Sequence, residues 1–167
     1  MRRTAILAAL IWLASSAVEL AALPAGLEGR WRSVVAGADG AQSASAMLVE
    51  RGSGFEFDIE APGAPHLQAR MTPTERPEVF QVAAGRSLFG LFESEASTDP
   101  FDGPPLLWAR TTGSALVAYR VAVAGDGALT LVRVALEPVE AGLEMWVQLR
   151  LDGNVAEDWR VVLEPVE

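Results

Sequence analysis

The sequence predicts an all-β protein, an antiparallel up-and-down barrel of about eight to ten strands. Apolar and polar residues alternate at period two in one short run after another, as they do in strands with one buried face. Segments rich in Gly, Asn and Asp separate many of these runs. After residue 17, no segment carries a sustained apolar stripe at helical spacing. A sandwich would share these features, and we favour the barrel.

The strands follow one another closely along the chain. The clearest alternation predicts strands over residues 55–60, 116–123 and 143–151. Shorter runs predict strands near 30–35, 44–50, 66–72, 78–83, 106–112, 128–137 and 156–164. The segments 51–54, 125–127 and 152–154 have hairpin-turn chemistry, because Gly, Asn and Asp tolerate positive φ. The apolar parity changes within 128–137, which predicts either a β-bulge or a strand covered on both faces.

The N-terminal segment has the pattern of a secretory signal peptide. Arg2 and Arg3 precede an uninterrupted apolar run over residues 5–14, and small residues follow. We predict residues 1–17 as the signal peptide, with cleavage after Ala17. An uncleaved N-terminal anchor is the alternative. The expected order is then a lead-in over 18–28 and a single barrel domain over 29–167, in a periplasmic or secreted protein with no stable membrane span after cleavage.

Composition narrows the classes of function. The 167 residues contain no Cys and no Lys, and the 13 Arg stand against 22 Asp and Glu, for a net charge of −9. The absence of Cys excludes disulfides and thiolate metal sites. The acidity, without a basic cluster, argues against a nucleic-acid partner. No motif predicts a cofactor or a metal site, so we expect none.

The sequence also gives little support for catalysis. The one histidine, His66, follows Pro65 at the start of a predicted strand, where we expect it to face solvent. A Ser nucleophile would need such a base beside it and an oxyanion hole, and no matching motif is present. Glu56, Asp58 and Glu60 alternate on one polar strand face and are interpreted as solubilising charge. We therefore predict no catalytic residues and a protein that is not an enzyme.

A long connection over residues 85–104 stands apart from the short turns. It lacks strand alternation yet contains Phe89 and Phe92, so its apolar content argues against disorder. It is expected to be a flap or short helix closing the barrel, a portal for an apolar ligand, or a partner-binding loop.

Three arginines interrupt otherwise apolar strands and form the candidate ligand site. These are Arg110, Arg120 and Arg133, and the aromatic residues Trp108 and Tyr119 lie near them in sequence. An inward arginine beside an aromatic ring inside a barrel would anchor a carboxylate, since guanidinium binds carboxylate through two hydrogen bonds. In the alternative interpretation these arginines point outward and balance surface acids.

The segment Leu27-Glu28-Gly29-Arg30-Trp31 places Gly-x-Trp on the first strand, soon after the signal peptide. With the strand pattern, it resembles the calycin group: lipocalins, fatty-acid-binding proteins and the barrel-shaped bacterial metalloprotease inhibitors. The resemblance implies that Gly29 and Trp31 are structural and that Trp31 packs across the closed end of the barrel. The later lipocalin motifs are absent. Near the last strand, where fatty-acid-binding proteins carry Arg-x-Tyr, this chain has Asp158-Trp159-Arg160.

These observations lead to three hypotheses of function. The first is an exported barrel that binds a small apolar or amphipathic ligand, with 85–104 as its gate. The second is an envelope interaction or protease-inhibitor-like module with a filled barrel, which presents a loop or the segment 18–28 to a protein partner. The third is a hydrolase that uses carboxylates, which would require two acids inside the barrel.

Overall fold

The fold is a closed antiparallel barrel of ten strands, as the sequence predicts. The structure is a computed structural model that describes residues 23–37, 40–83 and 105–166. The strands are β1 (Gly29–Gly37), β2 (Gly40–Arg51), β3 (Gly54–Glu60), β4 (Leu67–Pro73), β5 (Val79–Val82), β6 (Leu106–Thr112), β7 (Ala115–Val123), β8 (Leu129–Val139), β9 (Gly142–Leu151) and β10 (Asn154–Pro165). The described residues contain no helix, and therefore no helix long and apolar enough to cross a membrane.

Each ladder joins strands that are consecutive in the chain, except the one that closes the barrel between β1 and β10. That closing ladder is short: Trp31 lies opposite Pro165 and Arg32 lies opposite Glu164. The Val166 amide also donates a hydrogen bond of 2.8 Å to the Arg30 carbonyl. Beyond Arg32, no described strand pairs with this edge of β1. The wall is therefore continuous everywhere except along this seam.

The turns follow the chemistry of their residues. Asp152 and Gly153 both have positive φ, at 49° and 82°, and form the two-residue turn between β9 and β10. The β7–β8 turn is closed by a 2.8 Å hydrogen bond from the Gly127 amide to the Ala124 carbonyl. The Asp152 carboxylate also accepts a hydrogen bond of 2.8 Å from the Leu129 amide. The 51–54, 125–127 and 152–154 turn predictions are thus confirmed.

The parity change in 128–137 does not come from a bulge. β8 pairs in unbroken register with both β7 and β9. Val132, Val134 and Leu136 are buried inside, whereas Leu131 lies half-buried on the outer face. Apolar residues therefore occur on both faces, but Leu129 is 40% exposed on the outer face, so the strand is not covered on both faces as the second explanation predicts. The register shift lies instead in β10, between Val155 and Glu157.

Alternate side chains fill the interior of the barrel. The inward residues of all the strands form one core, whose largest fully buried side chains include Phe55, Phe57, Phe80, Leu48, Ile59, Leu67, Met71, Leu116, Leu136, Leu143 and Met145. The Phe55 and Phe80 rings meet edge to face, with their centroids 4.8 Å apart. No described buried side-chain nitrogen or oxygen lacks a hydrogen-bond partner. Core packing alone holds a chain that has no disulfides.

Described segments cross both ends of the barrel. At the end where β1 begins, Leu23 and Leu27 are buried in the core. Gly26 lies against Pro138 at the end of β8, three strands from β1. At the other end, the β3–β4 connection reaches across to β10, where Gly63 lies against the Glu157 carboxyl group. Residues 23–28, the described part of the lead-in, are thus packed against the barrel.

Candidate functional site

Outward side chains of five neighbouring strands form a continuous row on one side of the barrel. In ladder register, Trp108 of β6 lies opposite Tyr119 of β7, which lies opposite Arg133 of β8. Arg133 lies opposite Gln148 of β9, which in turn lies opposite Asp158 of β10. The Trp108 and Tyr119 rings stack with centroids 5.1 Å apart and planes 10° apart. The row therefore runs from an aromatic pair to a polar network.

Trp146, in the next row of β9, is the centre of that network. The guanidinium carbons of Arg133 and Arg160, from the strands on its two sides, each lie 4.3 Å from the centroid of its ring. Both contacts are within the range of cation–π attraction. The indole Nε1 donates a hydrogen bond of 2.6 Å to Asp158 Oδ1. We call the outward set Trp108, Arg110, Tyr119, Arg133, Trp146 and Arg160 the aromatic–arginine face.

Asp158 joins this network through both carboxylate oxygens. Gln148 Nε2 donates to Asp158 Oδ2 at 2.9 Å, and Arg133 Nη1 donates to Gln148 Oε1 at 3.3 Å. Hydrogen bonds from Trp146 and Gln148 hold the pKa of Asp158 below its ordinary value, and the positive charges of Arg160 and Arg133 act in the same direction. The carboxylate therefore stays ionised and fixes the edge of the Trp146 ring.

Neighbouring side chains on the aromatic–arginine face are close enough together to bury an outward apolar residue. Val117 points outward, between Arg110 and Ala135 in ladder register, yet its exposed fraction is 4%. A second apolar row, Leu106, Val121 and Leu131, runs beside the Trp108–Tyr119 row. Leu106 is 67% exposed. The buried Val117 and the exposed Leu106 lie on either side of the Trp108–Tyr119 row, so the face is a continuous apolar surface rather than a set of isolated apolar side chains.

The predicted ligand-site residues fall on both sides of the wall. Trp108, Arg110, Tyr119 and Arg133 lie on the outer face, which for Arg110 and Arg133 is the outward alternative and not the inward carboxylate anchor. The reason is parity: Leu107, Ala109 and Thr111 take the inward positions of β6. Arg120 lies on the inward parity of β7, half-buried and opposite Leu107 and Val132. Phe89 and Phe92 lie outside the described residues, as does the whole 85–104 connection.

Gly29 and Trp31, the two residues expected to be structural, lie together at the start of β1. Trp31 packs against the core near the end of the barrel that residues 23–28 cross. Its Nε1 donates a hydrogen bond of 3.2 Å to the Leu27 carbonyl. Gly29, at φ 139°, lies beneath the Trp31 indole. These contacts hold the Trp31 indole at the end of the barrel where β1 begins.

The polar side of β3 and β4 carries paired surface charges. His66 is exposed and its Nε2 lies 2.7 Å from Asp58 Oδ1. Glu56 lies between Arg51 and Arg70, at 3.2 Å and 4.0 Å. Within the described parts of the chain, no three His, Asp or Glu residues are grouped to hold a metal ion. The carboxylates of β3 thus point outward, as the sequence predicts.

The open clefts among the described residues include two in the outer wall near β1. One, of about 700 Å³, lies along the seam where β1 and β10 diverge, lined by Arg32, Ser33, Val34, Glu164, Pro165 and Val166. The other, of about 280 Å³, lies over β1–β3 and includes Arg30, Met47 and Asp58. Neither is an enclosed chamber inside the barrel.

The outer network includes residues that the sequence analysis did not select. Trp146 is half-buried on the outward parity of β9, and neither it nor Gln148, Asp158 and Arg160 is among the candidate residues predicted from the sequence. Their signal in the sequence is the alternation of Trp146 and Gln148 on one strand and of Asp158 and Arg160 on the next. Comparison of the chain with protein-family models, with curated proteins and with solved structures finds no match. The site is therefore defined by the geometry of this chain alone.

Proposed function

We propose that this protein is an exported, non-enzymatic interaction module that binds a partner protein on the outside of its barrel. The filled interior carries this proposal. In the described structure, large side chains occupy the barrel axis and the open clefts lie in the outer wall. The signal-peptide pattern of residues 1–17 supports export. The resemblance to calycins, which include the barrel-shaped protease inhibitors, supports a protein partner.

The N-terminal segment is a poor candidate for the binding element. Leu23 and Leu27 are buried in the barrel's own core, so residues 23–28 would have to leave it in order to insert into a partner. The outer wall offers Trp, Tyr and Arg side chains instead, the types that dominate the energetics of protein interfaces. The aromatic–arginine face is therefore the surface on which we place the interaction.

Native mass spectrometry of the exported, untagged protein, gently isolated and compared with its denatured mass, tests this function. We expect the barrel at its polypeptide mass, together with a complex that contains a second polypeptide. Trp146→Ala should reduce the fraction in the complex. Arg70→Ala, an exposed substitution on the opposite wall, should leave it unchanged. A discrete small-molecule mass on every barrel, with no polypeptide complex, would contradict the proposal.

Arg120 favours a second candidate function, the binding of a small amphipathic molecule at the end of the barrel where the 61–66 connection lies. Arg120 lies half-buried on the inward face, opposite Leu107. A guanidinium group beside an apolar residue is suited to bind a carboxylate that carries an apolar tail. If Arg120 binds such a molecule, native mass spectrometry should show a small-molecule mass bound to the wild-type barrel and should not show it bound to Arg120→Met. It should persist in Arg150→Met, where the arginine lies exposed on the outer face.

A further inference from the structure

The strongest unassigned feature of the surface is the pattern of charge around the aromatic–arginine face. The Leu106–Val121–Leu131 row and the Trp108–Tyr119 pair form an apolar centre. Each apolar row ends in an arginine: Leu131 lies opposite Arg150, and Tyr119 lies opposite Arg133. Arg110 continues the outward side of β6 beyond Trp108. Guanidinium groups therefore flank the apolar centre on two sides.

None of these three arginines forms an ion pair with a described acid. No described carboxylate lies within 4.0 Å of Arg110, Arg133 or Arg150, whereas Arg160 has Glu144 at 3.7 Å. The only aromatic contact of Arg110 among the described residues is Tyr119, whose ring centroid lies 5.9 Å from its guanidinium carbon. In a protein with a net charge of −9, this outer surface concentrates three arginines, and of these only Arg133 is among the described cations whose charge lowers the pKa of Asp158.

We propose that the aromatic–arginine face, together with Arg150, binds a protein segment in which apolar residues are flanked by carboxylates. This inference rests on the proposed function and specifies its partner. The apolar rows would bury the partner's apolar side chains, and Arg110, Arg133 and Arg150 would each pair with an acid. Guanidinium groups that point outward in a strand array can form two hydrogen bonds with a carboxylate. Their positive charge also favours an acidic segment over a neutral or basic one.

Charge complementarity decides between a protein segment and an anionic membrane surface. The chain carries nine more acids than bases, so a charged bilayer would repel most of the molecule. A short acidic peptide segment, by contrast, can contact the three arginines without facing the rest of the acidic molecule. Arg133 is also held in place by Gln148 and the Trp146 ring, so little ordering of its side chain is required on binding.

The test uses three synthetic peptides of equal length, in which Leu alternates with Glu, with Ser or with Lys. Binding to the folded full barrel is followed by tryptophan fluorescence, since Trp108 and Trp146 belong to the face. We expect the Glu peptide to bind, its affinity to fall as salt increases, and the Lys peptide not to bind. Equal binding of all three peptides, or no binding of the Glu peptide, would overturn the inference.

Substitutions then locate the site. The affinity for the Glu peptide should fall by about ten-fold or more in the triple variant Arg110→Gln, Arg133→Gln, Arg150→Gln. The matched triple Arg30→Gln, Arg70→Gln and Arg76→Gln changes the net charge equally on the β1–β5 side and should leave affinity unchanged. The double variant Arg110→Gln, Arg150→Gln leaves the Trp146 network intact and should also weaken binding. It therefore keeps the test valid even if the triple variant alters the fold. Equal losses in the matched triple would overturn the inference.

The same variants separate this inference from the proposed function. A polypeptide complex in native mass spectrometry that is lost in Trp146→Ala but survives the Arg110, Arg133 and Arg150 triple would overturn the acidic-partner inference alone. The proposed function would then stand with a partner of other chemistry. Loss of the complex in the triple, with retention in the matched control triple, supports both.

Discussion

Trp146 and Asp158 are joined by a diagonal hydrogen bond across β9 and β10. They are not opposite each other in the ladder: Trp146 lies opposite Arg160, and Asp158 lies opposite Gln148. The 2.6 Å bond from the indole Nε1 to Asp158 Oδ1 therefore ties two rows of the outer wall together. A ring that contacts two guanidinium groups is held at its edge by a carboxylate that the same cations attract.

The first prediction concerns pH. The pKa of Asp158 is lower in the folded protein than its ordinary value, chiefly because Trp146 and Gln148 donate hydrogen bonds to its ionised form. Ionised Asp158 therefore stabilises the folded state above the ordinary pKa, and this contribution disappears as pH falls through the folded-state pKa. The Trp146 indole N–H resonance should shift in that acidic range, below about pH 4. Asp158→Asn should abolish this titration, and a shift that persists in the variant would contradict the assignment.

The second prediction concerns the indole that packs near the end of the barrel where β1 begins. Trp31→Ala removes a half-buried ring and its hydrogen bond to the Leu27 carbonyl, so the free energy of unfolding should fall by about 3 kcal/mol. Trp31→Phe keeps most of the packing and should cost about 1 kcal/mol. Denaturant unfolding measures both changes. A loss below about 1 kcal/mol for Trp31→Ala would show that the indole contributes little to the core.

The third prediction concerns Gly54, the first residue of β3. A Cβ at this position would overlap the backbone carbonyl oxygen of Met71 on β4, which cannot move without disturbing the ladder. Gly54→Ala should therefore lower the free energy of unfolding by about 2 kcal/mol. Gly125→Ala is the control, because nothing lies within 4 Å of its added Cβ, and it should change stability by less than about 0.5 kcal/mol. Equal effects would contradict the close approach.

The fourth prediction concerns the seam. The hydrogen bond from the Val166 amide to the Arg30 carbonyl shows that the even-numbered backbone groups of β1 face β10. Beyond Arg32 that ladder stops, whereas the odd-numbered groups stay paired with β2. By amide hydrogen exchange, Val34 should therefore exchange at least about ten-fold faster than Ser33. Val34 is also 67% exposed, in keeping with an open edge. Similar protection at both residues would show that another segment pairs with this edge.

The order and placement of the strands could be predicted from the sequence because the pattern is local. Alternation over 55–60 or 143–151 follows directly from one buried and one polar face, and short turns enforce antiparallel neighbours. Which side chains of β6 and β7 point into the barrel is harder to predict, because the odd-numbered and the even-numbered residues of these strands are both largely apolar. Leu107 and Ala109 compete with Leu106 and Trp108 for the interior, and only the closed barrel decides between them.

The polar network could not be predicted because it depends on one inserted residue. At the β9–β10 turn, Val155 lies opposite Arg150, and after the shift at Ala156, Glu157 lies opposite Leu149. In unshifted register Trp146 would face Trp159, with no cation opposite its ring. The bulge brings Arg160 opposite Trp146 and Asp158 opposite Gln148. Nothing local in Val155-Ala156-Glu157 indicates this shift.

The short closing ladder has a consequence for how the chain reaches its native state. All the other ladders join strands that are consecutive in the chain, and all of these except β5–β6 can form as hairpins across short connections, at little cost in chain entropy. Closure instead brings together β1 and β10, the two strands farthest apart along the chain, and forms only two residue pairs, of which Trp31 and Pro165 are one. Such long-range contacts form late and slowly. The meander should therefore assemble first as an open, curling sheet, and the two terminal strands should meet in the rate-limiting step.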